Sequence, residues 1–428
     1  TVQYYEQMYV ASRLTNLKTN GKTAAFYGTD YTATLVPNAG YDLPQSVKVN
    51  VSGRAMDSAG YTYNKTTGLV TIKGKYIKGN LEIVAVGVPK TCTVTFDKQG
   101  GSGGTNSTTA TYTSAMPQVT APTLKGYTFQ GYYASPNGQG KQYYTATGAS
   151  ANDCDFYTAT TLYAHWTANS YTVKYDQNKP AATSGTVKGT TSNSSHTYNE
   201  SKALTPNGYS LAGYAFIGWA TTANGSVVYK DKDSVQNLSS VDGATVTLYA
   251  VWKANTYYVE YDSNKPATAS GTMTGTTSRS AHAYDTSGAL SESGFVLKGW
   301  TFVGWAQTAD ATSAQYAGGE NVKNLASEEG EVVKLYAVWQ ANTYNVTYAA
   351  NKPATASGTT VGSTAQTTHT YEQASAAAIN GYSLVGWTFI GWSQNPNATA
   401  IDFADGADVL NLADTQGATV TLYAVWKA

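Results

Sequence analysis

The chain is poor in charged side chains and has no long apolar run. Only 13% of its 428 residues are charged, and 27 basic residues balance 27 acidic ones, whereas about a quarter is usual. Without a basic field, the composition favours neither nucleic acid nor an anionic membrane as a partner. No apolar run is long enough to span a bilayer and no signal peptide is recognisable, so we expect no membrane insertion in this segment.

Residues that carry catalysis or bind metals are also scarce. Among the four histidines, His196, His282 and His369 each stand two residues before a tyrosine, without a second histidine or a consistently placed carboxylate. We expect locally hydrogen-bonded histidines at strand ends rather than metal ligands. Asp231 and Asp233 suggest a calcium loop, but the third repeat has Gly318-Gly319-Glu320 there, and no loop offers enough oxygen ligands. No sequence feature marks a Lys–Asn isopeptide pair, and we predict no enzyme, no metal and no cofactor.

The chain contains two cysteines, Cys92 and Cys154. In a secreted protein such a pair is most simply a disulfide, which here would close a loop of 154−92 = 62 residues. The alternative is two buried free thiols. We predict the disulfide.

Tyrosine, threonine and glycine are abundant instead. The chain has 35 tyrosines and 41 glycines. Tyrosine and threonine favour strands, and frequent glycines mark turns and bulges. This composition predicts a mainly β, extracellular protein.

One short phrase recurs four times along the chain. It reads Leu-Tyr-Ala-His-Trp at Leu162–Trp166 and Leu-Tyr-Ala-Val-Trp at Leu248–Trp252, Leu335–Trp339 and Leu422–Trp426. The closing tryptophans are 86, 87 and 87 residues apart, from 252−166, 339−252 and 426−339. Such a period indicates one structural unit copied in tandem.

The period predicts the domain organisation. We expect an N-terminal module at residues 1–89, followed by the first repeat at 90–168, the second at 169–254, the third at 255–341 and the fourth at 342–428. Each repeat begins and ends with a strand, and Asp233–Leu238 predicts at most one short helical turn. Glycines within the central strand predict bulges. Because the linkers are short, we expect an elongated, semi-rigid array.

These motifs resemble the Listeria–Bacteroides repeat, or B-repeat, family. The matching elements are a first strand such as Val94–Asp97, a central phrase such as Gly126–Tyr132 and the closing Leu-Tyr-Ala-x-Trp. The resemblance extends from about Lys90 to Ala428 and implies a small ubiquitin-like β-grasp fold on bacterial surface proteins, without enzymatic activity. The later repeats depart from it by replacing the double glycine of Gly100-Gly101 with Asn-Lys-Pro.

The N-terminal module has a different pattern. Its alternating strands are separated by Gly, Pro and Asn turns about every ten residues, which predicts a β-sandwich-like domain. It resembles β-domains that precede such repeats in secreted proteins of Gram-positive bacteria.

Most of the recurring aromatic residues, such as Phe216, Trp219 and Trp252, are expected in the core. Tyr214, Trp300 and Trp387 lie five residues before the shared tryptophan and are the candidate ligand-binding residues. If these rings are exposed, they could stack on sugars or on the next module.

The expected function is therefore a non-enzymatic, semi-rigid stalk that also acts as an adhesion module, on a bacterial cell surface or in a secreted protein. Its partners would be a host surface protein, a glycan or neighbouring copies of itself. The alternatives are an adhesin with binding sites in the repeats and a subunit of a self-associating extracellular filament.

Overall fold

The computed structural model describes residues 5–428, so the first four residues of the predicted N-terminal module lie outside the described residues. The chain divides into two compact units. The first extends up to Lys174 and includes Asn193–Leu204 and Asp233–Thr247; the second comprises Tyr175–Ser192, Thr205–Lys232 and Leu248–Ala428. The second repeat therefore contributes residues to both units.

The N-terminal module is built from two main sheets. Its strands are β1 (Gln7–Thr15), β2 (Leu17–Thr19), β3 (Ala24–Phe26), β4 (Tyr31–Pro37), β5 (Tyr41–Asp42), β6 (Lys48–Val51), β7 (Arg54–Ala55), β8 (Tyr61–Tyr63), β9 (Leu69–Ile72), β10 (Leu81–Val86) and β11 (Val88–Pro89). One sheet has the order β3-β1-β10-β6-β7, the other has the order β2-β4-β9-β8, and β5 pairs with β11. Buried side chains from both main sheets, including Ile83 and Ile72, form one core. This confirms the predicted sandwich-like module.

The first repeat forms a single mixed sheet. Its strands are β12 (Thr91–Asp97), β13 (Ser107–Thr111), β14 (Tyr127–Ser135), β15 (Gln139–Tyr144) and β16 (Thr160–Ala168), in the order β13-β12-β16-β14-β15. The first and last strands, β12 and β16, run parallel in the centre. β13 is antiparallel to β12, β14 is antiparallel to β16, and β15 is antiparallel to β14. This is the strand arrangement of a β-grasp sheet.

The later repeats add short accessory strands. The second contains β17 (Ser170–Asp176), β18 (Lys188–Gly189), β19 (Ser194–Thr197), β20 (Lys202–Ala203), β21 (Tyr209–Ser210), β22 (Tyr214–Ala220), β23 (Ser234–Val235) and β24 (Ala244–Ala254). The third contains β25 (Thr256–Asp262), β26 (Ser280–Ala283), β27 (Gly288–Ala289), β28 (Trp300–Ala306), β29 (Asn321–Val322) and β30 (Val332–Ala341). The fourth contains β31 (Thr343–Ala349), β32 (Thr360–Gly362), β33 (Thr367–Thr370), β34 (Ser375–Ala376), β35 (Tyr382–Leu384), β36 (Thr388–Ser393), β37 (Asp408–Val409) and β38 (Thr419–Lys427).

The central pairings are the same in each repeat. The third and fourth repeats have sheets of order β26-β25-β30-β28 and β33-β31-β38-β36, again with the first and last strands parallel. In the second repeat, β17 pairs with β19 and β22 pairs with β24, all antiparallel. The tandem β-grasp-like fold class is thus confirmed.

Asp233–Leu238, for which at most one helical turn was predicted, forms none. Ser234–Val235 instead pairs as a strand with Lys202–Ala203, and Asn237 has a left-handed φ of 57°, which stops a helix. Within residues 5–428, the helical segments are three 3₁₀ turns, at Ser58–Gly60, Gly74–Tyr76 and Pro136–Gly138. None of them is long or apolar enough to cross a membrane.

The core of each later repeat is centred on one tryptophan. Trp219, Trp305 and Trp392 are completely buried, as predicted for Trp219 and its copies. The glycine before each of them, such as Gly304 with φ 152°, lies at a break in the strand register. A Cβ on Gly304 would lie 2.4 Å from the carbonyl oxygen of Tyr316, so a larger residue would push this backbone away. The predicted bulges are confirmed.

Candidate functional site at the joints between modules

Cys92 and Cys154 are both buried in the structure, and no bond joins their sulfur atoms. The thiol of Cys154 donates a hydrogen bond to the carbonyl oxygen of Phe156 at 3.1 Å, and that of Cys92 points to the same oxygen at 3.9 Å. Burial raises the pKa of Cys92, and the neighbouring Cys154 raises it further. The two thiols are therefore close, and their oxidation stays a prediction.

We expect mild oxidation to join Cys92 to Cys154 and stabilise the first repeat. Closing a loop of 62 residues (154−92) is worth about 4 kcal/mol in the chain-entropy model, less any strain. Intact mass with and without reductant should show the loss of two hydrogens, and urea unfolding should show the added stability. Cys92→Ser is the control. Full alkylation of both thiols after oxidant treatment would contradict the expectation.

The three recurring histidines are buried within their repeats. The Nε2 atoms of His196 and His282 lie 2.8 Å from the hydroxyls of Ser194 and Ser280, and His369 lies 2.7 Å from Thr367. Each imidazole stacks on a tyrosine of the first strand of its repeat, as His282 does on Tyr257 at 5.4 Å. The predicted local hydrogen bonding is confirmed.

These histidines should make the protein less stable in mild acid. Burial lowers the pKa of His196, His282 and His369. Below about pH 6.5 the unfolded chain therefore binds more protons than the folded one, and stability falls as the pH falls. Urea unfolding at pH 7 and pH 5 measures this effect, and His282→Phe should reduce the dependence. A midpoint that stays constant between these pH values would rule out the histidines as its source.

The recurring feature of residues 5–428 is not a metal-binding cluster. That part of the chain contains no group of three His, Cys, Asp or Glu side chains arranged to hold a metal ion. The structural feature that recurs with the repeats is instead the contact between one module and the next, which we call a joint.

A single residue links the modules at each joint. The first joint is centred on Lys90, the second on Asn169, the third on Asn255 and the fourth on Asn342. Each linker N–H donates to a glycine carbonyl of the preceding module at 2.8–2.9 Å. Each linker carbonyl accepts from a tyrosine N–H of the following module at 2.8–2.9 Å. Both backbone groups of the linker are thus fixed.

That tyrosine also fills the space left by the glycine. A Cβ placed on the glycine would lie 2.1–2.3 Å from the tyrosine ring in all four pairs: Gly40 with Tyr112, Gly126 with Tyr198, Gly213 with Tyr284, and Gly299 with Tyr371. Each of these glycines has a left-handed φ, between 76° and 85°. Both the backbone conformation and the ring contact therefore require glycine. We call this pairing the glycine socket.

The residue after each socket glycine is aromatic, and this is where two of the candidate ligand-binding residues lie. Tyr214 contacts Tyr284 of the third repeat edge-on at 5.9 Å, and its hydroxyl donates to Asp285 at 3.2 Å. The indole N–H of Trp300 donates to Glu372 of the fourth repeat at 3.0 Å. We predicted that these rings, if exposed, could stack on sugars or on the next module. In the structure, Tyr214 and Trp300 contact the next module.

The two carboxylates are held in ionised form at the joints. Hydrogen bonds from Asn324, followed by those from Thr183, Tyr214 and Lys323, lower the pKa of Asp285 despite its burial. Burial raises the pKa of Glu372, but hydrogen bonds from Ser270 and Trp300 outweigh it and lower the pKa. These charge-assisted bonds strengthen the third and fourth joints.

The linker asparagines add side-chain bonds. The amide N–H groups of Asn169, Asn255 and Asn342 donate to the carbonyls of Ser240, Ser327 and Asp414 at 2.6–2.8 Å. The side-chain oxygens of Asn169 and Asn342 accept from Thr128 and Thr301. Asn255 lacks this second partner because Ala215 occupies the corresponding position.

Sequence reasoning missed the residues that form these sockets. Tyr198, Tyr284 and Tyr371 were visible only as neighbours of the recurring histidines, and Tyr41 and Tyr127 were not connected with Tyr214. A usable signal exists, because each socket glycine precedes its tyrosine by 71 or 72 residues, as in 198−126 and 284−213.

Trp387, the third candidate, lies at a groove in the fourth repeat. Two indole rings, Trp387 and Trp426, line the groove with Lys352 and Asn397, and its volume is about 470 Å³. A corresponding groove of about 570 Å³ in the third repeat contains Trp300 and Trp339. The candidate residues are thus placed on an open surface, and ligand binding stays a prediction.

Comparisons with known proteins agree with the repeat pattern. Residues 93–165 and 171–251 match the model of the Listeria-Bacteroides repeat domain. This match covers the first two repeats, and the family membership of the third and fourth repeats stays a prediction.

Similar proteins come from bacteria. Two are membrane proteins by name from Evansella cellulosilytica, one 27% identical over 58% of this chain and 33% of its own length, the other a Gly-rich one 28% identical over 71% and 30%. Internalin H from Listeria monocytogenes is 26% identical over 47% of this chain and 31% of its own length. The chain spans about a third of the length of these relatives.

Proposed function

Because this chain contains Listeria–Bacteroides repeat domains at residues 93–165 and 171–251, we propose that it is a spacer in a bacterial surface protein. It would hold another part of that protein away from the cell. The names of the relatives, which include an internalin and membrane proteins, support the location.

The joints carry the mechanical part of this proposal. A one-residue linker with both backbone groups hydrogen-bonded has little freedom to bend, and the tyrosine in its glycine socket blocks rotation. Four such joints in series would restrict the orientation of each module relative to the next. No catalytic step is required of the chain.

Small-angle X-ray scattering tests the spacer. A compact particle of 428 residues would have a radius of gyration of about 22 Å, whereas five modules in line would give about 40 Å. We expect the larger value. A radius near that of the compact particle would refute the proposal.

A second candidate function is adhesion, favoured by the grooves of the third and fourth repeats. Pairs of indole rings beside lysine and amide groups suit the flat faces and hydroxyls of a sugar. Trp387→Ala should abolish binding on a glycan or mucin array. Val385→Ala is the matched control, because Val385 is exposed nearby and does not line the groove. Absence of binding by the unchanged protein would leave the spacer role alone.

A further inference from the structure

Gly386 is the fifth glycine of this series, and no tyrosine ring covers it. Gly386 has the same left-handed φ, 79°, and the same aromatic neighbour, Trp387. Gly40, Gly126, Gly213 and Gly299 are buried under a tyrosine ring, whereas Gly386 is exposed with nothing within 4 Å of its Cβ position. The fourth repeat therefore carries a formed but empty socket.

The surroundings of Gly386 repeat those of the filled socket at Gly299. There, Ser270 and Trp300 donate to Glu372, and Lys265 helps to lower the pKa of that carboxylate. The same segment recurs in the fourth repeat, where Lys352, Ser357 and Trp387 occupy the positions of Lys265, Ser270 and Trp300. In residues 5–428 the indole N–H of Trp387 has no protein partner, and Lys352 and Ser357 are exposed. The indole N–H of Trp387, the hydroxyl of Ser357 and the ammonium group of Lys352 are thus hydrogen-bond donors that suit a carboxylate.

The residue before the glycine can be compared in the same way in the third and fourth repeats. Lys298 precedes Gly299 and reaches Asp414 of the fourth repeat at 3.6 Å. Val385 precedes Gly386 and is 84% exposed. The surface around Gly386 continues the pattern of an interface that the chain uses four times.

In a second copy of this chain, the tyrosines that fill sockets are already in use. The four hairpin tyrosines, Tyr112, Tyr198, Tyr284 and Tyr371, each lie in a socket of their own chain. A tyrosine from a different module would not have to leave such a socket first. The best matches in the chain, Tyr284-Asp285 and Tyr371-Glu372, show what it needs.

We propose that the surface formed by Gly386, Trp387, Ser357 and Lys352 is the docking site for a further β-grasp module. That module presents a tyrosine followed by an aspartate or glutamate on its first hairpin. The tyrosine ring covers Gly386, and the carboxylate accepts hydrogen bonds from Trp387 and Ser357 near the ammonium group of Lys352. The docking completes a fifth joint of the same construction as the other four.

The test appends a copy of residues 342–428 directly after Ala428 of the full chain. The added sequence begins with Asn-Thr, so the new linker reads Trp-Lys-Ala-Asn-Thr, as at Trp252–Thr256. Hydrogen exchange of the linker peptide is measured by mass spectrometry. We expect protection at least about tenfold greater than in a variant whose added copy carries Ala in place of the tyrosine corresponding to Tyr371, with the original joints unchanged in both.

Two further measurements keep the proposal falsifiable. Gly386→Ala in the extended chain should also remove the protection, because its Cβ would meet the incoming ring. Equal, unprotected exchange in the extended chain and the tyrosine variant would overturn the proposal, as would dimerisation of the original chain through Gly386 in light scattering. The spacer role is tested separately by the radius of gyration of the original chain, and a value near that of a compact particle would refute it.

Discussion

Gly299→Ala is expected to open the fourth joint. The new Cβ would lie 2.1 Å from the ring of Tyr371, so the ring must leave the socket, and alanine must adopt a φ of 76°. The left-handed conformation alone costs about 1–2 kcal/mol. Displacing the tyrosine adds the loss of its buried contacts, which brings the total to about 3 kcal/mol. Hydrogen exchange at the amides of Asn342 and Tyr371, which form the joint, should accelerate by about a hundredfold.

Gly386→Ala provides the matched control in the same chain. It imposes the same backbone conformation, with φ 79°, but its Cβ meets nothing within 4 Å. It should therefore show the conformational cost without the loss of a joint, and exchange at Asn342 should not change. If the two variants behave alike, the socket contributes nothing beyond backbone strain.

Trp305→Ala is expected to destabilise the third repeat by about 3–5 kcal/mol. Trp305 is completely buried, and its ring contacts Tyr261 at 4.6 Å and Phe302 at 4.7 Å. Its indole N–H donates to the carbonyl of Ser291 at 3.0 Å, so the substitution also leaves a polar atom unpaired. A domain of this size has a total stability of about 4–13 kcal/mol, so much of it would be lost.

The loss should be largest in the third repeat, and hydrogen exchange resolved by peptide can locate it. The second and fourth repeats should change mainly at the third and fourth joints, where Tyr284 and Asn342 contact their neighbours. Val303→Ala is the control, because Val303 lies on the same strand and is 46% exposed. It should change stability by less than about 0.5 kcal/mol. Uniform destabilisation of all repeats would mean that the modules unfold as one unit.

The two substitutions distinguish the stability of a module from the stability of a joint. Trp305 is expected to act on the core of one repeat, whereas Gly299 is expected to act on the contact between two repeats. A spacer needs both properties, because a stiff joint between unstable modules would not hold a distance. The histidine-bearing strand contributes to both: His369 is buried within the repeat, and Tyr371, two residues later, lies in the joint.

The core was predictable from sequence because its signals are local. The alternation of Tyr171 and Val173 within one strand places both side chains on one face, and the structure buries them there. The closing Leu-Tyr-Ala-x-Trp phrase likewise predicts a strand whose leucine and alanine face inward, as Leu335 and Ala337 do. The short strand at Ser234–Val235 was not predicted, because its partner, Lys202–Ala203, is distant in sequence.

The sequence alone determined that this protein is a mainly β array of copied modules. The repeat period is visible along the chain, and the alternation of each strand is visible in its neighbouring residues. Tertiary structure decided where the modules meet. A glycine and a tyrosine 72 residues apart, such as Gly126 and Tyr198, recur at a constant spacing, but only the fold shows that they are in contact. It also decided the role of Tyr214 and Trp300, whose aromatic rings favour a core, a ligand or a neighbour equally well. Only the position of Asp285 and Glu372 selects the neighbour, since a hydrogen bond depends on distance in space and not along the chain.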